Sequence, residues 1–348
     1  MSKKFYLSIL LTAIILVTPL VVTVAPKPGY LTGERRRPNE FPAWPKIQAN
    51  SIKKFFREFE AFFADHFPGR NIFLMLAAEL HMAELTNLDD CYRGRKNWLF
   101  LGDNYGRGVS KLRGEIFLSP HDLLRQNMRY KTMAQAAQAI GAEFVIFIGP
   151  NKSSIYPEYL PQVIIPAAKR FITPLVTSLR QTGLKIYDPT DLLKASKNKG
   201  LLYYRTDTHW NDLGAHEAFN GFLAYMGLPP LPLLKLIESP KLVKGDLVAI
   251  GGYNEFPTAT GDNFELDWGE SPPAWREENG RYLNVQSTSN KTVWVFGDSF
   301  ANALRPYLAA TFKDTRFFPH GEFEAVLESQ KPGPDLIIVE IVERNFGY

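Results

Sequence analysis

The sequence predicts an α/β fold: a three-layer sandwich around a mainly parallel sheet. Two observations lead there. Short apolar runs, Phe144–Ile148, Val293–Phe296 and Leu336–Val339, have the length of buried strands. They alternate with longer segments, over 121–140, 166–182 and 212–226, that read as helices. Strands alternating with helices favour a parallel sheet covered on both faces.

Taken in order, Lys3 and Lys4 precede an apolar run without charge, Phe5–Ala25. Its length matches the ~20 residues that cross a bilayer. Two readings stay open. Thr23 and Ala25 suit a signal-peptide cleavage site, which would release the body into the periplasm. Pro26 would then be the first mature residue, a poor substrate for cleavage, so an uncleaved anchor in the inner membrane is favoured. Charge asymmetry decides little, because Arg35, Arg36 and Arg37 lie just beyond the span.

Residues 26–50, rich in proline and charge, read as a linker to a domain over 51–348. That domain starts with helices at 51–64 and 71–85, broken near Pro68-Gly69. Helix 121–140, strand 144–148, helix 166–182 and strand Leu184–Tyr187 follow. Residues 201–205 lead to a helix at 212–226. Residues 228–290 show little periodicity and carry Pro229-Pro230, Gly251-Gly252 and Pro272-Pro273, so they read as an insertion near the site. Whether it lines an acceptor groove or is a structural excursion stays open. Tyr253, Phe256 and Trp268 suit sugar stacking or a local core equally. Strand 293–296, a helix from Phe300 to Phe312 and strands at 316–318 and 336–339 complete the pattern.

Composition fits one catalytic domain with elaborations: 348 residues, 45% apolar and 13% aromatic. A formal charge of +4, with no basic patch interleaved with aromatics, gives no support for nucleic-acid binding. Cys91 is the single cysteine, so no intrachain disulfide forms; it reads as a small buried residue. The six histidines lack zinc spacing and no metal is expected. His216 belongs on the helix after His209.

The chemistry lies in two motifs. Gly297-Asp298-Ser299-Phe300 follows a buried strand and precedes a helix. Such a turn exposes the serine hydroxyl and aims backbone N–H groups, that of Ser299 first, at a developing oxyanion. Asp207-Thr208-His209-Trp210 supplies a base, His209, and an acid to orient it, Asp207. An extended segment or a loop would serve to bring Asp207 and His209 together. Ser299, His209 and Asp207 thus make a candidate triad for a serine hydrolase or acyltransferase. Lys152 and Arg344 are candidate ligands for substrate carboxylates. No nucleotide-binding fingerprint is present, so coenzyme A is not expected and no cofactor is implied.

The stretch Leu202–Ala215, with Phe296–Phe300, resembles the alginate O-acetyltransferase family, the AlgX/AlgJ-like SGNH proteins. Asp65–Arg70, Gly94 with Trp98-Leu99-Phe100, Pro150-Asn151-Lys152 with Tyr156-Pro157, Gly245-Asp246-Leu247 and Val339–Arg344 extend the likeness over roughly 35–346. Ordinary SGNH esterases carry Gly-Asp-Ser near the start and Asp-x-x-His near the end. Here the order is reversed and one residue fewer separates acid from base, which is the permuted arrangement of the acetyltransferases.

The resemblance implies an SGNH-hydrolase-like fold, with Asn151 as an oxyanion donor. It implies acetyl transfer through Ser299 to a hydroxyl of an exported polysaccharide, and a membrane-bound O-acyltransferase as acetyl donor. Two other activities fit the same residues: a carbohydrate acetyl esterase or deacetylase, and a non-catalytic polysaccharide-binding assembly protein.

Overall fold

The computed structural model describes residues 37–45, 49–66, 89–231, 235–241, 243–253, 261–268 and 274–347. The expected membrane segment at 5–25, most of the linker and the helix expected at 71–85 lie outside them. Among the described residues no helix is long and apolar enough to cross a membrane. The chain divides into two compact units, residues 1–86 with 248–256, and residues 87–247 with 257–348.

In the first unit the expected helix spans Ala49–His66. Its Phe55, Phe59 and Phe62 recur at helical spacing and gather around Phe41 and Trp44, with Phe41–Phe62 ring centroids 5.2 Å apart. Asp65 fixes the incoming chain by accepting the backbone N–H and side-chain amide of Asn39, at 2.7 and 2.8 Å.

The second unit holds the sheet. Its strands, in chain order, are β1 (Cys91–Arg93), β2 (Leu99–Leu101), β3 (Glu143–Gly149), β4 (Lys185–Tyr187), β5 (Lys235–Glu238), β6 (Phe264–Asp267), β7 (Trp275–Glu278), β8 (Arg281–Asn284), β9 (Ser289–Gly297), β10 (Phe312–Pro319) and β11 (Leu336–Val342). The main sheet has the order β4-β3-β11-β9-β10-β8-β7. From β4 to β10 every pairing is parallel; β8 and β7 are antiparallel. The β1–β2 and β5–β6 pairs form separate small sheets.

Alternation along the central strands sorts side chains into two cores. Val145, Phe147, Val293, Val295 and Ile338 face one side and pack with Phe219 and Phe222 of helix Asp212–Tyr225 and Leu308 of helix Arg305–Thr311. Ile146, Ile148, Trp294, Phe296, Ile337 and Val339 face the other, with Tyr130 and Met133 of helix Pro120–Ala139 and Leu175 of helix Thr173–Gln181. These are the three layers the sequence predicts.

Three details depart from the sequence reading. The segment expected as a helix from 166 enters helical geometry only at Thr173, with Pro174 in its first turn. The chain after Ser299 starts as a 3-10 helix, Ser299–Leu304, and becomes α-helical at Arg305, where Pro306 opens the new helix. The span 228–290 is not wholly an excursion, since β7 and β8 extend the main sheet. At four residues each, and with three of the four β7 residues exposed, these strands are too short and too polar to stand out in a periodicity count.

Candidate active site

Parallel pairing sets the carboxyl ends of β3, β11 and β9 side by side, with Val342 opposite Gly149 and Val339 opposite Phe296. The loops that leave this edge carry Asn151 and Lys152, Glu343 and Arg344, and Asp298 and Ser299. An open α/β sheet gathers its site at such an edge.

Asp298 ends β9 and caps the next helix: Oδ1 accepts the Phe300 N–H and Oδ2 accepts the Val342 N–H, both at 2.9 Å. The turn leaves Ser299 exposed. Its N–H takes no partner among the described residues, as an oxyanion donor requires.

His209 Nε2 lies 2.7 Å from Ser299 Oγ, and His209 Nδ1 lies 2.6 Å from Asp207 Oδ1. Asp207 Oδ1 also accepts the His209 N–H at 2.9 Å. The pair is held by a loop; near it, Tyr203 bridges to Trp210. Burial works against the charge on Asp207, but hydrogen bonds from the His209 ring and from the His209 and Asp246 N–H groups outweigh it and hold its carboxyl at about 2. It therefore stays an anion able to fix the imidazole tautomer and stabilise an imidazolium. Phe300 closes one side of the base, its ring 5.0 Å from the imidazole.

Packing from several directions shapes the loop. Lys152, nearly fully buried, donates Nζ to the carbonyls of Tyr204 at 3.1 Å, Arg205 at 3.1 Å and Asp207 at 2.6 Å. Those bonds use its three donors. The sequence expects Lys152 to meet a substrate carboxylate; in the structure three turn carbonyls engage its ammonium. Desolvation lowers this amine to about 8 although Asp207 acts against the shift. Asp246 braces the other side; its N–H goes to Asp207 Oδ2 at 3.0 Å. Its carboxylate takes the Thr208 N–H at 2.8 Å and hydroxyl at 2.7 Å. Gly245 permits this approach, because a Cβ there would lie 2.2 Å from the Thr206 carbonyl oxygen.

Asn151 and Arg344 stand together, with Arg344 Nη1 3.5 Å from Asn151 Oδ1. The Asn151 N–H is held by Glu343 Oε2 at 2.9 Å, and Glu343 Oε1 receives Arg170 Nε at 2.7 Å. Asn151 and Arg344 line a small cleft with Lys152, Thr208, Tyr92 and Phe100. The guanidinium lies 5.5 Å from the Phe300 ring and makes no ion pair among the described residues.

Asp207, His209 and Asp246 are close enough to hold a cation, but hydrogen bonds within the loop already use their facing atoms. Cys91 is half-buried, and burial pushes its thiol up to about 12, which suits no nucleophile. His216 lies on helix Asp212–Tyr225, beside Glu217 and Asn220. Sequence reasoning gave no role to Asp246, Glu343 or Arg170. Gly245-Asp246-Leu247 was visible as a segment, yet a lone acid in an aperiodic stretch does not reveal its partner.

Comparison with known proteins bears on the fold. The family model described as "SGNH hydrolase-like domain, acetyltransferase AlgX" matches residues 91–226. The "Probable alginate O-acetylase AlgJ" of Pseudomonas aeruginosa is 26% identical over 117 residues, 31% of this chain and 30% of that protein. Its namesake in Pseudomonas putida is 26% identical over 128 residues, 36% and 31% of the two chains. The chain thus spans about a third of the length of these curated relatives. Among solved structures, Bacillus cereus PatB1 superposes with a TM-score of 0.50 at 12% identity, covering 74% of this chain and 97% of that one, a likeness of fold. The fold is SGNH-like, and residues 91–226 resemble the AlgX acetyltransferase domain.

Proposed function

We propose that this chain is an O-acetyltransferase that carries acetyl on Ser299 to a hydroxyl of an exported polysaccharide. The observation that carries the reading is the continuous line from Ser299 Oγ through His209 to Asp207, with contacts of 2.7 and 2.6 Å. The name alginate O-acetylase on the relatives supports acetyl transfer and an alginate-like acceptor.

His209 Nε2 takes the Ser299 proton as Oγ bonds to the carbonyl carbon of the acetyl donor. The Ser299 N–H, with Asn151 as second donor, stabilises the oxyanion. Collapse breaks the bond to the leaving group, which takes the proton from His209 and departs, leaving acetyl-Ser299. An acceptor hydroxyl then loses its proton to His209 and attacks the ester. Collapse of this second adduct returns the proton to Ser299 and releases the O-acetylated sugar. Asp207 stays ionised throughout. Lys152 and Asp246 hold the loop, and Arg344 faces the acceptor's carboxylates. In this reading a membrane-bound O-acyltransferase supplies acetyl, and residues 5–25 hold the protein at the inner membrane with its body in the periplasm.

Intact-mass spectrometry tests the proposal, using a small acetyl ester with and without acidic oligosaccharides. A transient acetyl adduct, absent in Ser299→Ala, whose acetyl moves to the sugar is the expected result. An adduct that yields only acetate across a panel of acceptors would assign an esterase. No adduct on the unmodified protein would overturn catalysis and leave the polysaccharide-binding reading.

A further inference from the structure

Beneath the Ser299 turn lies a carboxyl group that the triad does not use. Glu340 is on β11, between β3 and β9, paired with Phe147 and fully buried. Its Oε2 accepts the Asp298 N–H at 3.2 Å. Two glycines make room for it: a Cβ at Gly149 would stand 3.0 Å from Oε1, and one at Gly297 would stand 3.2 Å from Oε2. An ionisable side chain in an otherwise apolar central strand thus has its own recess, cut from the ends of both neighbouring strands.

The surroundings decide its protonation. Among the described residues no cation lies within ion-pair distance of the carboxyl; Arg344 feels its charge from farther away. Asp298, on the turn after β9, is within hydrogen-bonding reach and carries the same sign. His320, after β10, meets the backbone carbonyl of Glu340 and not its carboxyl. Taken as a carboxylate, Glu340 has only the backbone N–H groups of Asp298 and Ala301 as donors, and its buried Oε1 has no hydrogen-bond partner among the described residues. Taken as an acid, it carries a proton that the neighbouring Asp298 carboxylate can accept. Burial, reinforced by the charge on Asp298, pushes the Glu340 carboxyl well above the usual carboxylate range.

We propose that Glu340 is a neutral carboxylic acid and a positioning residue: it donates a hydrogen bond to Asp298 and accepts that residue's N–H, locking the turn that presents Ser299. The inference rests on the role given above to Ser299. The lock has two parts, because Asp298 in turn holds the Phe300 and Val342 N–H groups. A neutral acid adds no second negative charge below the developing oxyanion, where an anion would oppose the reaction.

Glutamine has the same length, with an oxygen for the Asp298 N–H and an NH₂ for its carboxylate. Leucine keeps much of the volume and neither bond. The test compares Glu340→Gln and Glu340→Leu by the rate of acetyl-Ser299 formation from a small ester, and records the infrared C=O band of protonated carboxyls at neutral pH. Glu340→Gln is expected to acylate within about threefold of the unmodified protein, while Glu340→Leu slows roughly 30-fold in kcat with little change in KM, as loss of nucleophile positioning implies. A protonated-carboxyl band should be present in the unmodified protein and absent from Glu340→Gln. Loss of activity in Glu340→Gln, an unimpaired Glu340→Leu, or no such band would overturn the inference. If Glu340→Leu does not fold, the glutamine variant and the band still decide. Failure of the unmodified protein to acylate would instead strike at the assignment of Ser299.

Discussion

Asp246 donates its backbone N–H to Asp207 Oδ2 at 3.0 Å while its own carboxylate holds Thr208, the residue between the acid and the base. The geometry of the proposed triad is therefore set from outside the Asp207–His209 motif. Asp246→Ala keeps the N–H but releases Thr208, so the loop loosens without losing any triad member. Its kcat should fall about tenfold with KM nearly unchanged, since the effect is on orientation. Steady-state kinetics on a small acetyl ester check this, and Asp246→Asn, which keeps an acceptor, should lie in between.

Lys152→Met should act on stability first. It removes three donors from carbonyls in a buried turn, at a cost of about 2–4 kcal/mol, read from the denaturant midpoint. Arginine should not rescue it, because the planar guanidinium does not reproduce a compact ammonium in a closed site.

Asp207 predicts a direction for acid sensitivity. Its carboxyl is held at about 2 in the folded chain against an ordinary 3.8, so its folded pKa is depressed. The stability it contributes is complete above the unfolded value and is lost as pH falls through the folded one. The melting temperatures of the unmodified protein and Asp207→Asn should therefore converge as pH is lowered from 3.8 towards about 2. Thermal melts over that window provide the check.

Arg344 and Asn151 should separate in kinetics although they are neighbours. Arg344→Gln should raise KM for an anionic oligosaccharide about tenfold and leave turnover of a small neutral ester unchanged, since it removes only a charge-assisted contact. Asn151→Ala should lower kcat about 100-fold for both substrates, as loss of an oxyanion donor does.

Much of this was legible in the sequence for a local reason. Asp207 and His209 lie two residues apart, and Ser299 follows an unbroken apolar strand, so each motif announces its geometry without long-range knowledge. The central strands were legible too, because burial on both faces leaves continuous apolar runs. What stayed hidden depends on partners far along the chain. Lys152 reads from sequence as a ligand for a substrate carboxylate, because nothing local shows that the carbonyls of 204, 205 and 207 turn towards it. Asp246 sits 39 residues from Asp207 in a stretch without periodicity. Glu340 did leave a trace, a lone acid inside Leu336–Val342, but its recess comes from Gly149 and Gly297 on other strands.

The order of the strands bears on when this chain acquires reactivity during its synthesis. β11 lies between β3 and β9 although it is made after both, and it brings the Val342 N–H that ties down Asp298. A ribosome-bound chain that has not yet released residues 336–342 has its histidine and serine but no finished seat for the serine. Labelling by a serine-directed probe would therefore report closure of the sheet, and partly made molecules would remain unreactive towards esters they meet on the way.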